Sequence, residues 1–104
     1  MILHIKDSFD QEKDRWMIHL DGEIDVYTVG NLKEHFYQLL DERMADLEVD
    51  CSSLTYIDST GLGALIGIRG KIAKEEKKLI LLNLQPNVRK LLRITGLDKI
   101  FIVK

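Results

Sequence analysis

The pattern of hydrophobic and polar residues divides this chain into an alternating first part and a second part with helical spacing. Apolar side chains recur at every second position in residues 2–6 and again in residues 16–21, which predicts two strands that each bury one face. The polar stretch 7–14 predicts the turn between them, and Asp21-Gly22 is expected to end the second strand. The two strands should therefore pair as an antiparallel hairpin.

From Thr28 onward the apolar residues follow the spacing of amphipathic helices in three segments. Thr28 is a residue type favoured at a helix N-cap, and the apolar face of the helix after it consists of Val29, Leu32, Phe36, Leu39 and Leu40. A second helix is predicted over 61–74, and its buried side should carry Leu62, Leu65, Ile66, Arg69, Ile72 and Ala73. Pro86 and Gly96 are typical of the first position and the C-cap of a third helix, whose core face is Val88, Leu91 and Leu92.

Three further strands are predicted between and after these helices. Alternation over 45–51 indicates a strand, the apolar run 79–82 indicates a central strand covered on both faces, and 100–103 can supply the last strand. Residues 52–58 are predicted to be a loop. The order is therefore β-β-α-β-α-β-α-β, and helices that alternate with strands imply parallel pairing. We predict one α/β domain over residues 1–104, with a mixed sheet of four to five strands and three to four helices.

Composition and charge exclude several classes of protein. Fifteen basic against seventeen acidic residues give a net charge of −2, which offers no bulk attraction for nucleic acid or an anionic membrane. A single cysteine excludes an internal disulfide and suits a reducing compartment. No apolar run approaches the roughly 20 residues of a membrane helix, and the first residues lack the pattern of a signal peptide. We therefore predict a cytoplasmic protein that binds neither nucleic acid nor a membrane directly.

The segment Asp58-Ser59-Thr60-Gly61-Leu62-Gly63 is the candidate site. Two hydroxyls follow a carboxylate and precede two glycines at the predicted start of the second helix, with Ser59 near the N-cap. A helix start has unpaired backbone N–H groups, and its dipole favours negative charge. A hydroxyl held there can cap the helix, act as a nucleophile, or accept a phosphoryl group.

The residues around Ser59 do not support nucleophilic catalysis. The nucleophile elbow of hydrolases has the pattern G-x-S-x-G, and Ile57 stands where its first glycine belongs. All three histidines, at positions 4, 19 and 35, precede Ser59, whereas the histidine comes last in that class of hydrolase. A chain of 104 residues also leaves little room for a substrate pocket and a lid. We predict that the protein is not an enzyme.

Nucleotide and metal sites find no support either. Gly61-Leu62-Gly63 followed by Gly67 places the third glycine one residue late for a dinucleotide fingerprint, and Asn83 stands near the place of its acidic residue. His4 and His19 could face each other across the first hairpin, but they have no cysteine or carboxylate at ligand spacing. We therefore predict no metal and no cofactor.

Two roles for Ser59 stay open on local sequence alone. A phosphate would add about −1.5 to −2 charges beside Asp58 at an exposed position, where the helix dipole tolerates them. The fold would survive, but an apolar or acidic partner surface would be repelled. In the alternative, Ser59 and Thr60 serve only to cap the helix.

Several segments of the chain resemble a known bacterial family. The candidate site is similar to the signature of anti-sigma factor antagonists, the stand-alone STAS domains. Two upstream segments also match, Gly22-Glu23-Ile24-Asp25-Val26-Tyr27 and Leu54-Thr55-Tyr56-Ile57. The segment Ile94-Thr95-Gly96-Leu97-Asp98-Lys99-Ile100 is similar to the closing segment of the family. These matches occur in the family's order and span nearly the whole chain.

The resemblance implies a regulatory function. An unphosphorylated antagonist binds an anti-sigma factor that is also a serine protein kinase, and this binding frees a sigma factor for transcription. The kinase inactivates the antagonist by phosphorylating it, and a PP2C-type phosphatase reverses the modification. ATP and the metal ion belong to these partners, so the resemblance implies no cofactor in this chain. The alternative is a STAS scaffold subunit of a stress-sensing or lipid-transport assembly.

The resemblance also implies roles for individual residues. Ser59 takes the position of the phosphoacceptor, and the loop around it consists of Asp58, Thr60, Gly61 and Gly63. Thr60 leaves a second hydroxyl beside the acceptor. A second loop, near the acceptor and the partner, contributes Asp25, Tyr27 and Thr28. For Asp25, turn formation or helix capping is an equal alternative.

Overall fold

The structure is a computed structural model and describes residues 2–104. Its five strands are β1 (Leu3–Asp10), β2 (Arg15–Ile24), β3 (Asp46–Ile57), β4 (Leu79–Leu82) and β5 (Ile102–Val103). The helices are α1 (Val29–Glu42), α2 (Ser59–Ala73) and α3 (Pro86–Thr95), followed by a 3-10 helix at Leu97–Lys99. The predicted α/β class and the predicted order of strands and helices are confirmed.

The sheet has the order β1-β2-β3-β4-β5, so each strand lies beside its neighbours in sequence. β1 and β2 form the expected antiparallel hairpin, and β2 to β5 pair in parallel. Because successive parallel crossovers are right-handed and all advance in one direction, α1, α2 and α3 pack on the same face of the sheet. One buried cluster accordingly includes side chains from all three helices and from alternate positions of the central strands.

The burial of β4 confirms that this strand is covered on both faces. Leu79 and Leu81 belong to the core under the helices. Ile80 points to the opposite face and is also buried. Its register neighbours are Glu48 on β3 and Ile102 on β5, so adjacent strands cover it rather than a second layer of helices.

The first hairpin is longer than the polarity pattern predicts. The turn expected at 7–14 is wrong in its first half, because β1 continues through Asp10. β1 lies at the edge of the sheet, where polar side chains remain in contact with water. Phe9 meets Trp16 of β2 edge-on, with ring centroids 5.1 Å apart, and this contact joins the end of the hairpin to the core.

Gly22 does not end β2, as its position after Asp21 predicts, but lies inside the strand. Its φ of +126° belongs to the region that favours glycine. A Cβ at this position would collide with the carbonyl oxygen of Ile2. Glycine here therefore allows the backbone of β1 to approach β2 closely, and β2 continues to Ile24.

The largest correction concerns the predicted loop 52–58, because residues 52–57 form the second half of β3. The buried positions there, Cys51, Leu54 and Ile57, are three residues apart and so break the alternation that marks a strand. Two register shifts against β2 explain this spacing, since β3 carries one extra residue at each shift. Each extra residue turns the next apolar side chain back toward the core.

α2 begins at Ser59, two residues before the predicted start, and buries a different side from the one predicted. Buried as expected are Leu62, Leu65 and Ile72. Exposed, against the expectation, are Ile66, Arg69 and Ala73, and the core positions are taken instead by Gly61, Ala64 and Ile68. Apolar residues surround most of this helix, so their spacing does not select one side.

α3 begins and ends as predicted. Pro86 occupies its first turn, and Gly96 forms the C-cap in the left-handed region with φ +76°. Val88 and Leu92 are buried in the core, and Leu91 is half-buried. Among residues 2–104, no helix is long and apolar enough to cross a membrane.

Candidate functional site

The candidate site consists of two loops that follow the C-terminal ends of two neighbouring strands. β2 and β3 are parallel neighbours, so their C-terminal ends lie side by side, one followed by Asp25 and the other by Asp58. The backbone N–H of Asp58 donates to the carbonyl of Ile24 at 3.2 Å. The loop predicted to contact the partner and the loop predicted to carry the phosphoacceptor are therefore adjacent in space.

Asp58 is the N-cap of α2, and Ser59 is the first helical residue. The carboxylate oxygen Oδ1 of Asp58 accepts a hydrogen bond from the backbone N–H of Gly61 at 3.0 Å. Its carbonyl oxygen accepts another from the N–H of Leu62 at 3.0 Å. The alternative in which Ser59 and Thr60 cap the helix is therefore wrong, because the flanking acid has that role. Both hydroxyl-bearing residues are exposed.

The backbone at Ser59 offers two hydrogen-bond donors. The N–H groups of Ser59 and Thr60 lie in the first turn, where a helix provides no acceptor. Neither group donates to another backbone group within residues 2–104. α2 is 15 residues long and has the positive end of its dipole here. An oxyanion attached to Ser59 would therefore meet donors and a favourable field.

The buried side chain of Asp25 stabilises the second loop. It is only 4% exposed, and its Oδ1 accepts hydrogen bonds from the backbone N–H of Tyr27 at 2.8 Å and of Thr28 at 3.1 Å. Its other oxygen, Oδ2, is buried and receives no hydrogen bond from the part of the chain that the structure describes. Asp25 thus forms the turn, which is the structural alternative for this residue.

Thr28 stands at the N-cap position of α1 as predicted, but its hydroxyl does not cap the helix. The hydroxyl donates to the carbonyl of Glu23 at 2.8 Å and accepts from the N–H of Asp25 at 3.0 Å. Thr28 is buried. Asp25 and Thr28 together fix a tight loop and leave the two residues between them in solvent.

Exposed apolar side chains lie on the Asp25 loop and at the end of β3, the two segments that lead to the site. Val26 is 64% exposed, Tyr27 is 83% exposed, and Tyr56 near the end of β3 is 43% exposed. Exposed apolar groups on neighbouring segments are typical of interaction sites on soluble proteins. We call Val26, Tyr27, Tyr56, Ser59 and Thr60 the acceptor surface. Val26 and Tyr56 are not among the predicted site residues, although two consecutive apolar residues at 26–27 in a loop are a signal for such a surface.

Gly61 and Gly63 contribute differently to the site. A Cβ on Gly61 would lie 2.6 Å from Cγ2 of Ile24 and 2.6 Å from Cγ1 of Ile57, so the first turn of α2 rests directly on these two side chains. Gly63 is exposed, and a Cβ there would meet nothing within 4 Å. Gly61 therefore sets how closely the acceptor end of α2 approaches the sheet, whereas Gly63 does not.

Two side chains near the start of α3 support the end of β3. β4 pairs only with residues 47–50 of β3, so the later carbonyls have no strand partner on that side. Gln85 donates its side-chain amide to the carbonyl of Ser52 at 2.9 Å, and Asn87 donates to the carbonyl of Thr55 at 2.9 Å. These amides replace the missing strand and fix the segment that leads to the acceptor.

Two neighbouring residues of β3 have shifted pKa values. Burial by itself raises the pKa of Asp50, but hydrogen bonds from the Ser52 backbone, the Asn83 amide, the Ser52 hydroxyl and His19 outweigh it and lower that pKa. Burial, and then the charge of Asp50, raise the pKa of the Cys51 thiol to about 12. The thiol therefore stays protonated and unreactive at neutral pH.

The histidines do not assemble a metal site. His4 lies opposite Asp21 across the hairpin, and His19 lies opposite Lys6, so the two imidazoles are not paired as expected. Nδ1 of His19 lies 3.1 Å from Oδ2 of Asp50. No group of three or more histidine, cysteine, aspartate or glutamate side chains in residues 2–104 is arranged to hold a metal ion.

One family profile matches most of this chain. The family profile of the STAS domain matches residues 8–104. An anti-sigma-B factor antagonist from Staphylococcus epidermidis is 34% identical over 84 residues, which cover 81% of this chain and 78% of that relative. An anti-sigma-B factor antagonist from Staphylococcus aureus is 34% identical over 80 residues, which cover 77% of this chain and 74% of that relative.

Solved structures share the same fold. An anti-sigma factor antagonist from Mycobacterium paratuberculosis superposes with a TM-score of 0.79 at 26% identity, over 96% of this chain and 85% of that one. Unphosphorylated SpoIIAA gives a TM-score of 0.74 at 19% identity, over 97% and 87% of the two chains. Phosphorylated SpoIIAA from Bacillus gives 0.71 at 20% identity, over 99% and 91%.

Proposed function

This chain belongs to the STAS domain family, and on that basis we propose that it is an anti-sigma factor antagonist controlled by phosphorylation of Ser59. In this cycle the unphosphorylated chain binds an anti-sigma factor that is also a serine protein kinase, and a sigma factor is released. The kinase then phosphorylates Ser59, and a PP2C-type phosphatase removes the phosphate. The cycle runs in the cytoplasm, and the partners supply the ATP and the metal ion.

The observation that carries this proposal is the position of Ser59. It is the first residue of α2, it is exposed, and its hydroxyl is not used to cap the helix because Asp58 has that role. It also lies within the acceptor surface, next to the exposed Tyr27 loop. A kinase that binds this surface would have the hydroxyl within reach.

The start of α2 can hold a phosphate within the folded domain. A phosphoserine brings about −1.5 to −2 charges, which the free N–H groups of Ser59 and Thr60 and the helix dipole would stabilise. SpoIIAA, which has the same fold, has been solved in an unphosphorylated and a phosphorylated form, and this supports the proposal. Phosphorylation is therefore expected to leave the fold of this chain intact.

The same charge would weaken partner binding. An interface that covers Val26 and Tyr27 removes water from the neighbouring Ser59, and burying an unpaired charge is costly. The carboxylate of Asp58 lies beside the acceptor, so the phosphorylated surface becomes strongly negative. Attraction before phosphorylation and repulsion after it would give the switch that an antagonist requires.

Phosphate mapping tests the acceptor. The chain is purified with its kinase from native extract, incubated with ATP, and examined by peptide mass mapping. We expect one phosphate on Ser59, none on the Ser59→Ala variant, and wild-type phosphorylation on the matched variant Thr60→Ala. Full phosphorylation of Ser59→Ala would overturn the assignment.

Binding affinity tests the switch. The Ser59→Asp variant should bind the kinase more weakly than the wild type, while the far-UV circular dichroism spectrum stays unchanged. Ser59→Asn is the control, because asparagine has nearly the same size as aspartate but no charge. This variant should retain most of the affinity. Equal binding by the wild type and Ser59→Asp would reject the electrostatic switch.

A further inference from the structure

A notch of about 260 Å³ lies at the β5 edge of the domain and shares no residue with the acceptor surface. It is lined by Leu84, Arg89, Leu92, Arg93, Asp98 and Val103. The three apolar residues belong to the core or pack against it and form the floor. The three charged residues are exposed and form the rim.

Arg89 and Arg93 are one helical turn apart on α3, so both guanidinium groups project from the same side of the helix. Neither forms an ion pair within residues 2–104, although Asp98 lines the same notch. α3 itself contains no acidic residue. Two guanidinium groups without carboxylate partners at a concave site favour an oxyanion, because their donor forks match its geometry.

The backbone of Val103 adds a third donor. The N–H of Lys104 donates to the carbonyl of Leu81 at 2.9 Å, so the backbone groups of Lys104 face β4. Backbone groups alternate along a strand, and those of Val103 therefore face away from β4, at the open edge of the sheet. The N–H of Phe101, which faces the same way, already donates to Leu97 at 3.0 Å. The N–H of Val103 has no backbone acceptor among the residues described.

We infer that the notch binds the phosphate group of a small phosphorylated molecule. Arg89 and Arg93 hold the phosphate oxygens, with the N–H of Val103 as the third donor. A phosphate monoester carries nearly two charges and so matches two guanidinium groups better than a single carboxylate does. The apolar floor contacts a short apolar part of the ligand. Asp98 and the carbonyl of Val103 accept hydrogen bonds from its hydroxyl or amine groups.

NMR titration of the full chain with inorganic phosphate and with glycerol 3-phosphate, at constant ionic strength, tests this inference. We expect saturable shifts of the Val103 and Asp98 amides and of the Nε–H signals of Arg89 and Arg93. The Arg89→Gln variant should bind each probe about tenfold more weakly or worse, because it loses a charged hydrogen bond. Lys90→Gln, which removes the same charge from the same helix outside the notch, should bind within about twofold of the wild type.

Three results would overturn the inference. Shifts that grow linearly without saturation would show only general ionic effects. Equal weakening by Arg89→Gln and Lys90→Gln would show that net charge, not the notch, attracts phosphate. Saturable binding of acetate as tight as that of phosphate would contradict the assigned ligand class. If Arg89→Gln fails to fold by thermal unfolding, Arg93→Gln replaces it with the same expected outcome.

Discussion

The carboxylate of Asp58 and the backbone N–H of Gly61 are joined by a hydrogen bond of 3.0 Å, and this bond caps α2. The residue before the candidate acceptor therefore has the structural role, and Ser59 does not. Since the cap does not depend on Ser59, modification of Ser59 leaves the start of the helix in place. In the proposed cycle, structure and regulation would thus be divided between two neighbouring residues.

Removing this cap should destabilise the domain. We expect Asp58→Ala to lower the free energy of unfolding by about 1 kcal/mol, the usual contribution of an N-cap side chain. Asp58→Asn keeps an oxygen acceptor at the cap and should lose much less. Urea unfolding followed by circular dichroism measures both variants. A loss for Asn as large as that for Ala would contradict capping by hydrogen bond.

The two glycines of the acceptor loop form a matched pair. Gly61→Ala should cost about 1–3 kcal/mol, because its Cβ would press against Ile24 and Ile57 at 2.6 Å. The Cβ that Gly63→Ala adds has no atom within 4 Å. This variant should stabilise the domain by about 0.4–1 kcal/mol, because alanine lowers the entropy of the unfolded chain. Chemical denaturation distinguishes them by the sign of the change. Equal effects at both positions would contradict the close packing described for Gly61.

Tyr27 should be a main contact of the kinase partner. Tyr27→Ala is expected to raise the Kd of the complex by about tenfold, as truncation of a central aromatic contact does. Ile94→Ala is the control, because Ile94 is similarly exposed, at 71% against 83%, but lies at the end of α3. Calorimetry of the two variants with the purified kinase measures the difference. Unchanged affinity for Tyr27→Ala would remove the loop from the interface.

Asp50 should contribute to the dependence of stability on acid pH. Its pKa in the folded chain is lowered from the value of about 3.9 in the unfolded chain, so it stabilises the fold above that value. This contribution is lost as the pH falls through the folded pKa. Asp50→Asn should therefore be less stable than the wild type at pH 7, and the difference should shrink below pH 4.

Unfolding in urea at a series of pH values measures this effect. Asp21→Asn, which removes an exposed carboxylate from the adjacent strand, is the control for the change in net charge. A difference between Asp50→Asn and the wild type that is constant from pH 7 to pH 3 would exclude the ionic contribution. In that case hydrogen-bond geometry alone would account for the loss.

Local signals were sufficient wherever one chemical feature fixes an element. Pro86 and Gly96 delimit α3 because one lacks an N–H group and the other adopts a left-handed backbone. The alternation of helices and strands fixed the parallel pairing. The position of Ser59 at a helix start also followed from the residues around it, whereas its role as phosphoacceptor stays a prediction.

The missed features depend on contacts between distant segments. The bulges of β3 place buried residues three apart, so a period-two pattern cannot detect the strand between Ser52 and Ile57. Asp7 can lie in a strand because β1 is at the edge of the sheet, where a polar side chain stays in water. Composition does not reveal which strand is at the edge. The exposure of Val26 follows from hydrogen bonds that Asp25 and Thr28 make beneath it.

β3 is held in two different ways along its length, and this has a kinetic consequence. Residues 47–50 lie between β2 and β4, whereas the later part of β3 pairs with β2 on one side and receives only side-chain bonds from Gln85 and Asn87 on the other. Side-chain bonds can break one at a time, whereas a ladder opens cooperatively. The side of β3 that faces α3 is therefore expected to lose its hydrogen bonds more readily after residue 50 than before it.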